Sequence, residues 1–308
     1  MKKISKTILF FGNERLATAA STSAPVIRSL TAAGFRVGAV ITSHQDSVSH
    51  QERDLEIDPI AHSLGIPVLR LSKNVPLIEI IKRHQTNAAV LVAFGKIIPQ
   101  SVIDLFPDGI INVHPSLLPK LRGPTPVENA ILQGLDYTGV SIMKIASKMD
   151  AGPVYIQKRV ALDGNETKFE LAERLGQLAA DLVANNLANI LDGSLPPSEQ
   201  NDSEATYTAL IKKEDGDIDW RKPAQQLERE VRAFLGWPGS RTQLAGKDVA
   251  ITKVHVDNRQ LKPGQIEKTK QELIIGAGDS SLAIERLKPA GKNEMDIAAF
   301  LAGYGNKL

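Results

Sequence analysis

The first 160 residues alternate short apolar runs with stretches whose apolar positions recur at helical spacing. Runs at Thr7 to Phe11, Val37 to Thr42, Ala89 to Ala93 and Gly109 to His114 predict strands. Between them, helices are predicted near Ala24 to Ala33, Pro59 to Leu64, Leu77 to His84 and Pro99 to Leu105. Such alternation predicts an α/β fold with an open, largely parallel sheet. Gly139 to Ala146 and Pro153 to Leu162 predict two further strands. The strongest helical signal follows: Thr167 and Glu170 form a capping box, Leu171, Leu175, Leu178 and Leu182 line one face, and Gly193 is a natural stop.

Next, SLPPSEQNDSEAT is polar and proline-bearing. It predicts an exposed linker over 196–208, between a catalytic domain over 1–195 and a second domain over 209–308. In the second domain a helix at Ala224 to Phe234 precedes strand-like runs at Arg241 to Leu244, Asp248 to Val256, Gly264 to Glu267, Glu272 to Gly276 and Ser281 to Leu287. Several short strands with turn signals predict a small β-barrel.

Composition adds exclusions rather than a function. The 308 residues are 42% apolar and 23% charged, the profile of a folded domain and not of a disordered chain. With 37 basic against 35 acidic residues, no whole-chain field points to nucleic acid, so any polyanion contact is local. The absence of cysteine excludes disulfides, thiolate nucleophiles and cysteine-bound metal. No run of 18 apolar residues occurs, and the N-terminal apolar stretch ends after Ile8 to Phe11, short of a secretory core, so a cytoplasmic protein without a membrane segment is expected. G-x-G-x-x-G and G-x-x-x-x-G-K-[ST] are both missing, which disfavours dinucleotide and P-loop sites. His44, Asp46 and His50 share a loop without diagnostic spacing, and no metal is expected.

Two stretches carry candidate chemistry. In INVHPSLLPKLRGPTP, Asn112 and His114 are two residues apart on a strand and project to the same side, at the carboxyl end where open α/β sheets hold ligands. Pro115, Pro119, Pro124 and Pro126 stiffen the loop that leaves the pair. In GVSIMKIASKMDAGPVY, a strand delivers Asp150 into a turn closed by Gly152 and Pro153.

Together these stretches resemble the folate-dependent formyltransferase family. The resemblance implies that Asn112, His114 and Asp150 are catalytic. It implies that VAFGKIIP and the Ser-Leu-Leu-Pro run line the folate pocket through Phe94, Gly95, Ile97, Ile98, Ser116, Leu117, Leu118 and Pro119. The stretches Asp217 to Lys253 and Leu287 to Tyr304 resemble the C-terminal domain of the family's branch acting on methionyl-tRNA. The implied architecture is a Rossmann-like formyltransferase domain with a C-terminal OB-like β-barrel domain. The implied reaction moves the formyl group of 10-formyltetrahydrofolate to the α-amino group of methionyl-initiator tRNA, for translation initiation, in an enzyme expected to be monomeric. Arg122, Lys212, Arg241, Lys247, Lys253, Lys288 and Lys292 are the candidate tRNA contacts, with Lys213 beside them. Alternatives are a sugar-nucleotide N-formyltransferase, a catalytically silent RNA-binding module and a hydrolase releasing formate.

The chain departs from the family pattern in three places, one of them being Lys144 and Ser147 within GVSIMKIASKMD, which leave Asp150 in place. Thr42 to Asp58, where the resemblance implies a basic loop entering the acceptor arm, holds Asp46, Glu52, Asp54, Glu56 and Asp58 against Arg53 alone. An acidic loop does not grip phosphates as a basic one would. The first turn, FGNERLATAASTSAP, is longer and more polar than the family's short turn.

Overall fold

The computed structural model describes residues 6–43, 56–71 and 77–308. These residues divide into two compact units. The first runs through Val127 and adds Tyr137–Ala161 and Glu170–Ala209; the second comprises Glu128–Asp136, Leu162–Phe169 and Leu210–Leu308.

The first unit is built on a seven-stranded sheet. Its strands are β1 (Thr7–Gly12), β2 (Arg36–Ser43), β3 (Val68–Leu71), β4 (Ala88–Val92), β5 (Gly109–His114), β6 (Tyr137–Lys144) and β7 (Val154–Ala161), in the order β3-β2-β1-β4-β5-β6-β7. The strands from β3 to β5 pair in parallel, and β6 and β7 continue antiparallel. Helices α1 (Pro25–Ala32), α2 (Ile57–Ser63), α3 (Leu77–His84) and α4 (Gln100–Ile103) make the crossovers, and α5 (Pro126–Leu132) and the long α6 (Lys168–Asp192) follow. Strands β4 and β5 are buried at every position because a parallel sheet is covered on both faces, which is why their sequences AAVLV and GIINVH show no alternation. Phe11 anchors one face, meeting Phe94 and Phe106 edge-on at 5.4 and 6.0 Å between ring centroids.

The sequence does not reveal β3, a four-residue strand at the sheet edge, nor α5. Pro126, counted above among the loop's stiffening prolines, opens α5 at the one helical position where a missing N–H costs nothing. The stretch 196–208 also differs from a free linker. Ser198 bridges to Val154 of β7, and Thr206 to Thr208 pair with the loop 119–122. His44, Asp46, His50 and most of the acidic stretch lie outside the described residues.

The long first turn holds Glu14, only 4% exposed and in a left-handed conformation (φ 59°). Its carboxylate accepts from the backbone N–H groups of Val26 and Ile27, both at 2.8 Å, and so caps α1 from within. Burial pushes this carboxyl up to about 7, against the opposing pull of the two N–H groups and of Arg28. A carboxyl with a raised folded pKa stabilises the fold fully below its unfolded value and loses that contribution as pH rises through the folded one. Stability should therefore fall between pH 4.5 and about 7, by at most about 3 kcal/mol from this group. Urea unfolding of Glu14→Gln beside the parent chain at pH 5 and pH 8 measures this: the stability difference should move in favour of Gln at pH 8, and a pH-independent difference would contradict it.

The second unit carries α7 (Ala224–Ala233), strands β8 (Ser240–Leu244), β9 (Lys247–Asp257), β10 (Ile266–Lys268), β11 (Leu273–Gly276), β12 (Ser281–Pro289) and β13 (Met295–Asp296), and α8 (Ile297–Tyr304). The antiparallel order is β10-β11-β12-β9-β8, with β13 on β12. Register shifts near Arg286 bend the β9–β12 pair. The expected barrel is thus a curled half-barrel, and its core joins Ile251, Leu273, Leu282 and Leu287 of the sheet with Leu227 and Val231 of α7 and Phe300 of α8. The sequence reading lacked α8, whose apolar IAAFLAGY has no polar face to mark a period.

Candidate active site

Strand β5 lies where the sheet changes from parallel to antiparallel, with Asn112 opposite Leu91 of β4 and Met143 of β6. Asn112 and His114 do share one side of it, each 5% exposed. Among the described residues no group bonds the Asn112 amide, which leaves its N–H free for a ligand oxygen.

His114 is more constrained. Its Nε2 lies 2.9 Å from the carbonyl oxygen of Leu121, which can only accept, so Nε2 carries a hydrogen. Its Nδ1 faces Asp150 Oδ2 at 3.7 Å. That separation exceeds a hydrogen bond yet leaves no room for a bridging water. A proton arriving on Nδ1 would turn it into a charge-assisted contact, so the pair has a place to receive one.

Asp150 is held in turn by the Gly123 N–H, which donates to Oδ2 at 2.8 Å. Its backbone is left-handed (φ 48°), a conformation Asp adopts more readily than most residues. The Asp-x-Gly spacing has a physical cause: a Cβ at Gly152 would sit 1.9 Å from the Lys144 carbonyl oxygen at the end of β6. The histidine and the carboxylate are thus both anchored on one tripeptide, Leu121 to Gly123.

The loop before it is closed internally. Ser116 Oγ donates to the Lys120 carbonyl, Ser141 Oγ to the Ser116 carbonyl, and the Leu118 N–H to Ser141 Oγ. Gln157 Nε2 donates to the Leu118 carbonyl just before a cis Leu118–Pro119 bond. Of the eight candidate folate residues, Phe94, Ile98, Ser116 and Leu118 are buried and shape the loops from behind. Gly95, Ile97, Leu117 and Pro119 reach the surface, Ile97 at 78% exposure. A cavity of about 300 Å³ lies beside Pro119, lined by Tyr155 and Gln157 of β7 and by Gln200 and Asn201, and it does not include the Asn112 pair.

Arg122 corrects an expectation. It is fully buried, and its guanidinium donates to Gln200 Oε1, Asp202 Oδ1 and the Tyr207 hydroxyl, so it is not presented to a phosphate. A lone arginine in a polar loop reads as surface charge; only the return of 200–207 onto the loop shows otherwise.

In the second unit, Arg241 and Lys288 flank Ala250 across β8, β9 and β12, and Lys253 lies opposite Arg286. Sequence reasoning left out Arg286. Acids temper this row: Arg241 pairs with Asp217, Lys253 with Glu285 and Arg286 with Glu294. Lys247 Nζ lies 5.2 Å from the centroid of the Tyr304 ring, and Lys212, Lys213, Lys288 and Lys292 are exposed. Among the described residues no cluster of acids and histidines could hold a metal ion, and no helix is long and apolar enough to cross a membrane.

Residues 18–187 match the family model for formyl transferase, and residues 210–305 match that for the formyl transferase C-terminal domain. A methionyl-tRNA formyltransferase of Pelobacter propionicus is 34% identical over 304 residues, covering 97% of this chain and 93% of that protein. Among solved structures, HypX from Aquifex aeolicus in complex with tetrahydrofolic acid overlays with a TM-score of 0.66 at 19% identity, over 96% of this chain and 47% of that one. A methionyl-tRNA formyltransferase from Clostridium thermocellum overlays with a TM-score of 0.54 at 15% identity, over 93% and 99%. At such identities the two structures speak for the fold, while the sequence match runs through both units. The chain belongs to the formyl transferase family and, within it, to the methionyl-tRNA formyltransferases.

Proposed function

We propose that this chain transfers the formyl group of 10-formyltetrahydrofolate to the α-amino group of methionyl-initiator tRNA, acting as a monomer in the cytoplasm. The observation that carries the chemistry is that His114 and Asp150 are anchored on the single tripeptide 121–123, with the Asn112 amide, unbonded among the described residues, two residues from His114 on β5. The acceptor is argued from the sequence match, which includes the C-terminal domain over 210–305 and leaves a sugar-nucleotide acceptor less supported.

Formyl transfer forms a bond between the amine nitrogen and the formyl carbon and breaks the bond from that carbon to N10. The Asn112 N–H donates to the formyl oxygen as charge develops there. His114 takes the proton lost by the attacking amine on Nδ1, where the Asp150 carboxylate stabilises it, and returns it to the departing N10. The Leu121 carbonyl keeps the other ring nitrogen occupied, so the proton has one place to go. Gly95, Ile97, Leu117 and Pro119 are the candidate contacts for the folate, and Lys212, Lys253, Lys288 and Lys292 for tRNA phosphates.

The test is formyl transfer from 10-formyltetrahydrofolate to charged initiator methionyl-tRNA, with elongator methionyl-tRNA and an amino-sugar nucleotide as parallel acceptors. Selective formylation of the initiator is expected. Transfer to the sugar alone, or formate release without an acceptor, would overturn the assignment.

A further inference from the structure

The stretch 198–208 crosses the active-site loop, and its polar side chains are spent on it. Gln200 Nε2 donates to the carbonyls of Asp150 and Gly152 at 2.8 and 2.7 Å, while its Oε1 accepts from Arg122 Nε and Nη2 at 3.1 and 2.8 Å. All four bonding positions of the amide are thereby filled, and no flipped amide could satisfy both sides. Asp202 repeats the bridge, pairing with Arg122 at 2.7 Å and with Lys148 at 3.0 Å. Thr206 Oγ1 accepts from the Leu121 N–H, the Thr206 carbonyl from the Arg122 N–H, and the Arg122 carbonyl from the Thr208 N–H.

We infer that Gln200 is a positioning residue for formyl transfer, a clamp that sets the distance between His114 and Asp150 by tying the aspartate's turn to the Arg122 loop. His114 hangs from Leu121 and Asp150 from Gly123, so any slack between loop and turn appears directly in their separation. Neither group touches Gln200 with its reacting atoms; the clamp acts through the backbone carbonyls of Asp150 and Gly152 on one side and the Arg122 guanidinium, between Leu121 and Gly123, on the other. A segment that joins two domains in sequence is in this way part of the catalytic geometry. The kinetic arm of the test rests on the function proposed above, and the spectroscopic arm does not.

Gln200→Ala should lower kcat by roughly 10- to 100-fold, as expected for misplacement on the order of 1 Å, with KM for donor and acceptor changed by less than about 3-fold. Gln200→Glu retains an acceptor for Arg122 but sets a carboxylate against two carbonyl oxygens; folded by circular dichroism, it should be as slow as Gln200→Ala. Independently, the imidazole nitrogen-15 resonances of His114, assigned through His114→Gln, should shift in both variants at fixed pH. Near-parental kcat in folded Gln200→Glu, or unchanged His114 resonances, would overturn the clamp. A parent chain without formyl transfer would instead count against the function, and the resonances would still decide the positioning.

Discussion

Asn112→Ala should lower kcat by on the order of a hundred- to a thousand-fold while leaving the fold intact. The amide is buried and, among the described residues, unbonded, so its removal orphans no internal partner. Truncation at a strand position flanked by Leu91 and Met143 leaves a small space and costs little pairing. The loss falls on the transition state, because an N–H donor gains most where the formyl oxygen acquires charge. KM for either substrate should therefore change far less than kcat. Asn112→Asp sharpens the measurement: it has the same shape but only acceptors near that oxygen, and should be no faster than the alanine variant. Steady-state kinetics on both, with circular dichroism as the control, decide it. Turnover within about 10-fold of the parent in Asn112→Ala would remove this residue from the oxyanion role.

What could be read from the sequence follows from the range of the interactions involved. Strand β5 and its Asn-x-His spacing are local, and a two-residue repeat suffices to put both side chains on one side. The long helix α6 announces itself by spacing alone and ends just before Gly193, whose φ of 83° suits a helix stop. Arg122 and Gln200 are another matter, since their partners are 78 residues apart and nothing periodic connects them. A buried guanidinium and an exposed one have the same letter, and only the chain's return decides between them. The polar, proline-bearing run after Gly193 reads as linker for the same reason: its hydrogen bonds go to a distant loop rather than to a regular element. Burial of Glu14 was equally hidden, because a polar first turn gives no sign that its carboxylate caps the helix that follows.

Gly12→Ala should produce the largest loss of stability of any small substitution near the site. Gly12 ends β1 with φ 115°, paired in register with Val92 of β4. A Cβ there would lie 1.8 Å from the Val92 carbonyl oxygen and 2.7 Å from its carbon. The obstacle is backbone at the middle of the sheet, so no rotamer change relieves it and β1 must separate from β4. Left-handed strain costs on the order of 1–3 kcal/mol and forced overpacking about as much again, a large share of the roughly 5–15 kcal/mol that holds a domain together. Gly65→Ala separates the two terms. Gly65 also has a positive φ, 69°, but nothing lies within 4 Å of its would-be Cβ, so only the conformational cost of about 1 kcal/mol remains. Thermal unfolding of the two variants beside the parent chain should show Gly12→Ala several times more damaging. Equal losses would mean that the Val92 peptide can turn aside, and that the contact between β1 and β4 is looser than its geometry indicates. Val92 leads directly into the loop carrying Gly95 and Ile97, so any Gly12→Ala protein that does fold should also bind the folate more weakly, because the displaced strand carries that loop with it.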